Sequence, residues 1–194
     1  APTLSGANIT TATIPAASVV GTALTLGGNQ TITGIQTFTQ MIIGSFTTDP
    51  GTNSNLYYGY LAGSSLSSGT QNTLWGYKAG QALTSGSRNS FYGYEAGMSC
   101  QTGNDNTVMG SGAFTLGTGS RNSIAGKGAA PSLVSGDDNT WMGVNAGVGS
   151  TSVSRSSCFG KDSTCANFSH STAIGIGATA TAANQMMFGR STES

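Results

Sequence analysis

Asn72-Thr73-Leu74-Trp75-Gly76 returns as Asn89-Ser90-Phe91-Tyr92-Gly93, as Asn106-Thr107-Val108-Met109-Gly110, and later as Asn139-Thr140-Trp141-Met142-Gly143. The same pattern, a short apolar pair running into a glycine, also appears as Tyr57-Tyr58-Gly59, Ile124-Ala125-Gly126, Cys158-Phe159-Gly160, Ala173-Ile174-Gly175 and Met187-Phe188-Gly189. Successive glycines lie 17, 17, 17, 16, 17, 17, 15 and 14 residues apart. Self-similarity at a nearly fixed period means stacked copies of one small unit, none of which can bury its apolar face alone. The expected fold is therefore all-β, a parallel β-roll or β-solenoid with 14–17 residues per turn. At ~3.3 Å per residue, such a turn has room for two short strands and two bends.

Aligning the copies turns single residues into columns. Four residues before the glycine stand Asn55, Asn72, Asn89, Asn106, Asn122 and Asn139, followed by Ser156, Ser171 and Gln185. At a rung spacing of about 4.8 Å, stacked amides can hydrogen-bond up and down a ladder. Next comes a Thr/Ser column (Thr73, Ser90, Thr107, Ser123, Thr140, Ser157, Thr172), then the two apolar columns and the glycine. A small-residue column follows three positions beyond the glycine, from Ala62 and Ala79 to Ser163 and Ala178. The column before the asparagines reads Gln71, Arg88, Asp105, Arg121, Asp138, Arg155, His170, so its charges alternate from rung to rung. Exposed ion pairs contribute roughly 0–1 kcal/mol each, so this ladder is read as fixing register rather than supplying bulk stability. Lys78 and Glu95, one rung apart in another column, are expected to pair.

Adjacent residues of a strand face opposite ways, so two consecutive apolar columns imply a sheet buried on both faces. One face lines the coil. The other needs a cover from outside the chain, and a closed cyclic homo-oligomer is the simplest way to provide it. The Thr/Ser column raises an ice-binding reading, but Thr73 and Trp75 share a strand face. Hydroxyls pointing the same way as core residues make no flat wet plane, so that reading is set aside.

The chain opens with Ala1, which reads as a portion of a longer protein. Residues 1–50 form an extended or β-type leader, with a turn at Asp49-Pro50-Gly51 before the repeats of 51–194. Seven basic and seven acidic residues cancel and only 7% of the chain is charged, so neither nucleic acid nor an anionic membrane is an expected partner. No apolar run of about 18 residues suggests membrane insertion. Three cysteines without C-x-x-C spacing are expected as buried free thiols.

Asn72-Thr73-Leu74-Trp75-Gly76, Asn106-Thr107-Val108-Met109-Gly110 and Ser171-Thr172-Ala173-Ile174-Gly175-Ile176-Gly177-Ala178 resemble the head repeats of trimeric autotransporter adhesins. That resemblance implies a left-handed parallel β-roll of three identical chains around one axis. The 17-residue spacing with Ala62-Gly63, Ala79-Gly80, Ala96-Gly97 and Ala146-Gly147 departs from the bacterial pattern. Together with Gly28-Asn29-Gln30-Thr31-Ile32-Thr33-Gly34 and the closing Ala183-Asn184-Gln185-Met186-Met187-Phe188-Gly189, it looks closer to fibre proteins of large DNA viruses and phages. The implied role is a homotrimeric fibre segment on the virion surface that attaches to a host-surface glycan or protein receptor. The alternatives are a bacterial cell-surface adhesin head and, in a different class, a polysaccharide-degrading tailspike. A tailspike needs paired carboxylates in a groove, and the acids here are spent in the charge column or isolated, so no enzyme activity is expected.

Tyr60, Tyr77 and Tyr94 follow the glycine on three consecutive rungs and would stack into a stripe. It reads either as a stiffening aromatic ladder or as a surface for sugar rings, which makes these residues the candidate receptor contact. His170, the single histidine, is not expected to serve a Ser-His-acid set. Gly103-Asn104-Asp105-Asn106 and Gly136-Asp137-Asp138-Asn139 recur as Gly86-Ser87-Arg88-Asn89, with a cation in the same corner, so turn chemistry is preferred to bound calcium. Asn8, Asn29 and Asn167 begin weak glycosylation matches. Neither cofactor nor metal is expected.

Overall fold

The computed structural model describes residues 54–115 and 117–190. The leader expected over 1–50, with Asn8 and Asn29, lies outside the described residues. The repeats form a β-solenoid of about eight turns, all-β, with nine strands in one parallel sheet whose order follows the chain. The strands are β1 (Leu56–Tyr58), β2 (Thr73–Trp75), β3 (Ser90–Tyr92), β4 (Thr107–Met109), β5 (Ser123–Ala125), β6 (Thr140–Met142), β7 (Ser157–Phe159), β8 (Thr172–Ile174) and β9 (Met186–Phe188). Register is one to one throughout: Leu74 pairs with Phe91, Phe91 with Val108, Val108 with Ile124.

Each turn carries one regular three-residue strand rather than the two that its length allows. Left-handed residues are the physical reason. Lys78, Glu95, Asn145 and Asp162, two positions beyond the glycine, all have φ near +56°. They break the extended chain into tight turns such as the bond from Ala79 N to Gly76 O (3.2 Å). The return wall still donates to its neighbouring rung, as Gly80 N does to Ala96 O (2.9 Å) and Ala82 N to Met98 O (2.9 Å). Its regular bridges reduce to Ser135 with Ser152 and Thr164 with Thr179.

Two columns fill the interior. The central strand residues Leu74, Phe91, Val108, Ile124, Trp141, Cys158 and Ala173 are buried, with Tyr57 and Met187 partly covered at the ends. From the return wall come Leu83, Cys100, Leu133, Ser150, Cys165 and Ala180, all buried, with Leu66 packed against the cluster. The two columns compensate each other in size where a large ring is involved. Phe91 shares its rung with Cys100, Trp141 with Ser150, Cys158 with Cys165 and Ala173 with Ala180. In the rung of Val108 the return wall carries Gly117, and the ring of Phe114 occupies the place that a side chain there would take. A small partner beside each of the largest rings lets it fit without forcing the ladder out of register, and the last two rungs, of 15 and 14 residues, hold smaller pairs.

The asparagine ladder closes the coil along one edge. Asn106 is representative: its Nδ2 donates to Asn89 Oδ1 (3.1 Å) and Gly119 O (2.9 Å), while its Oδ1 accepts from Asn122 N and Asn122 Nδ2 (3.0 Å each). Asn72, Asn89, Asn122 and Asn139 repeat the scheme, all of them buried. A buried amide with every donor and acceptor used avoids the desolvation cost of roughly 1–3 kcal/mol that an unpaired one carries. Ser156 and Ser171 continue the column with hydroxyls that bond the backbone, Ser156 Oγ to Phe168 O (3.2 Å) and Ser171 Oγ to Ala182 O (2.9 Å).

Candidate functional site

The candidate surface follows from which way each strand residue points. With the middle residue inside, the first and third of every strand face outward. The third residues form a column down the whole sheet: Tyr58, Trp75, Tyr92, Met109, Ala125, Met142, Phe159, Ile174 and Phe188. Trp75 is 49% exposed, Met109 51% and Met142 46%, so the apolar column that needs a cover is uncovered in the single chain. None of its nine members is charged. Tyr58 and Trp75 lie against one another with ring centroids 4.8 Å apart and planes tilted by 39°.

Thr73, Ser90, Thr107 and their successors share that outward face, which changes the argument about hydroxyls. They do not point at the core of their own chain, as the sequence reading supposed. What removes a uniformly wet plane is the apolar column running beside them, two residues along each strand.

Just past the glycine, Tyr60, Tyr77 and Tyr94 stack as read from the sequence. Tyr60 and Tyr77 have centroids 5.8 Å apart at 19°, and Tyr77 and Tyr94 5.1 Å at 11°. All three are exposed. Near-parallel rings cover each other's faces, so the stripe presents edges and phenol hydroxyls instead of a flat aromatic platform. The expected Lys78–Glu95 pair does not close. Lys78 Nζ lies over the Tyr77 ring, 5.3 Å from its centroid. A hydrogen bond with the Glu95 carboxylate, together with its charge, pushes the Tyr94 hydroxyl above the usual phenol range. Both Lys78 and Glu95 sit at left-handed corners, and each side chain lies beside its own preceding tyrosine rather than spanning the rung.

The alternating charges close at every second step. Arg88 Nη2 donates to Asp105 Oδ2 (2.9 Å), and Arg121 Nε donates to Asp138 Oδ1 (2.6 Å), each as one arm of a bidentate pair. Arg121 also reaches Asp137 at 3.5 Å. Asp105 to Arg121 and Asp138 to Arg155 are steps without a direct contact, although the charges still act on each other at longer range. The partnered arginine hydrogen bonds hold Asp105 and Asp138 below the usual carboxylate range. A second ladder, missed in the sequence because its residues differ, lies one position earlier. Ser87 N donates to Asn104 Oδ1 (2.8 Å), Asn104 N to Ser120 Oγ (3.0 Å) and Ser120 N to Asp137 Oδ1 (2.7 Å). The oxygens of Asn104, Asp105, Asp137 and Asp138 are thus occupied by turn and ion-pair bonds, which is the turn chemistry expected of those corners. Asn167 is likewise engaged, its Oδ1 accepting from Thr151 N (2.8 Å) and Thr151 Oγ1 (3.1 Å).

All three cysteines are free and buried. Burial pushes the Cys100 thiol up to about 12. Among the described residues, no group of three or more His, Cys, Asp and Glu is placed to hold a metal ion. Comparison with protein-family models, curated proteins and solved structures returns no match.

Proposed function

We propose that this chain is a segment of a homotrimeric virion fibre, and that it displays a repetitive β-solenoid surface for attachment to a host cell. The observation that carries the reading is the uncharged apolar column from Tyr58 to Phe188, turned outward on every strand, with six of its nine members exposed in the single chain. Monomeric proteins seldom leave a long contiguous apolar stripe in water. A cyclic arrangement of parallel copies brings the same stripe of each subunit to one axis and covers all of them with one contact type. Attachment is then a matter of display: three copies of each surface feature multiply weak contacts by avidity. The contact surface in this reading includes Tyr60, Tyr77 and Tyr94, whose aligned hydroxyls suit a polar glycan or protein receptor better than ring-on-ring stacking.

The test is mass in solution. Static light scattering should return three times the 19.4 kDa of one chain. Met109→Glu should return a smaller mass with the β circular-dichroism spectrum retained, because it places three carboxylates on the axis without touching the coil interior. A wild-type monomer would overturn the proposal.

A further inference from the structure

We propose that Cys158 and Cys165 are the two halves of an intrachain disulfide that staples the narrow end of the solenoid. They belong to one rung. Cys158 projects inward from the centre of β7, and Cys165 comes from the return wall of the same turn. Cys165 Sγ crosses the interior to the strand wall, 3.5 Å from Ser157 O and 3.5 Å from Ser171 O. Ser157 is the residue that precedes Cys158, so the Cys165 sulfur reaches the strand wall beside Cys158, and both thiols lie buried in the interior of one rung. In the longer rungs this interior place holds at most one thiol, as where Phe91 meets Cys100. Here alone among the described rungs do two thiols share it.

The position gives the bond a purpose. This rung and the next have shrunk to 15 and 14 residues, and the following interior pair is only Ala173 and Ala180. The C-terminal turns therefore bury the least apolar volume in a linear array, where ends open first. The neighbouring thiol and burial push Cys158 up, and the neighbouring thiol lowers Cys165. With hydrogen peroxide as oxidant, the Cys165 thiolate cleaves the O–O bond, becoming a sulfenic acid and releasing one water after proton transfer. Cys158 Sγ then attacks that sulfur, forms the S–S bond and expels a second water. Each sulfur has lost one electron and one proton overall. Oxidising surroundings outside cells favour the product. The inference stands whether or not the chain trimerises.

Two samples decide it: purified protein treated with hydrogen peroxide, and protein made in an oxidising compartment. Each is denatured, alkylated and digested with trypsin, which cuts after Lys161, between the two cysteines. The expected product is residues 156–161 cross-linked to 162–190, two hydrogens lighter than the separate thiol peptides, with Cys100 alkylated. Closing this short loop should raise the thermal midpoint by about 5 °C over the reduced form. Cys158→Ser should remove both the cross-link and the oxidant-dependent shift. Full alkylation of all three cysteines in both samples, a link through Cys100, or a cross-link without a thermal gain would overturn the proposal.

Discussion

Glycine after each of strands β1 to β7 is a steric requirement. Gly76 has φ +142°, and a Cβ placed on it would collide with the carbonyl oxygen of Gly93, one rung on. Gly59, Gly93, Gly110, Gly126 and Gly143 stand in the same relation to their successors. Gly149 offers a contrast, since its φ of +81° is left-handed but nothing lies within 4 Å of an added Cβ. Gly76→Ala should cost about 3 kcal/mol through strain and lost register. Gly149→Ala should cost only about 1 kcal/mol, the conformational term alone. Equilibrium urea unfolding of the two variants measures the difference, and equal losses would refute the clash. Trp141 marks another local cost. Its Nε1 is the one buried side-chain polar atom among the described residues without a partner, a deficit of roughly 1–3 kcal/mol set against the area its ring buries beside Ser150.

Single strands of three residues are too short to persist alone, and their stability comes from ladders that repeat along the sheet. The asparagine ladder is buried and fully bonded, whereas the Arg/Asp ladder is exposed, so the two respond differently to solution conditions. Folding lowers the pKa of Asp105 and Asp138, so their contribution is present above the ordinary carboxylate value and lost as pH falls through the depressed folded one. Acidifying from about pH 7 to about pH 3 should therefore lower the unfolding midpoint more in the wild type than in an Asp105→Asn/Asp138→Asn double variant. The gap should be a degree or so and shrink in roughly 1 M salt, since both groups face water. An identical acid response in the two proteins would show that the ladder carries no stability.

A coil of this kind has an inside that is complete and an outside that is not. The interior columns are buried rung by rung, yet the apolar stripe from Tyr58 to Phe188 remains in water unless other copies cover it. The tyrosine stripe then becomes one of three on the proposed trimer. If its hydroxyls contact a receptor, Tyr77→Phe should weaken binding on a glycan array or to host surface by about fivefold, with stacking intact. Tyr77→Ala should weaken it further, and full binding by both variants would return the stripe to a purely structural role.

Period, ladder chemistry and parallel register were legible from residues 55–190 because identical residue types recur at fixed spacing, and only stacking of equivalent positions satisfies a repeated Asn or a repeated glycine. Hidden from that reading were the second interior column, whose members run from Leu83 through Ser150 to Ala180, and the mixed ladder of Ser87, Asn104, Ser120 and Asp137. Strand alternation says that Leu74 and Trp75 oppose each other without saying which of them is inside. Folding settles that choice, because the return wall must approach one face closely enough to match its side chains in volume. The same closure draws Lys78 over Tyr77 and away from Glu95, and sets Cys165 against Cys158. These are contacts across a turn, and spacing along the chain carries no record of them.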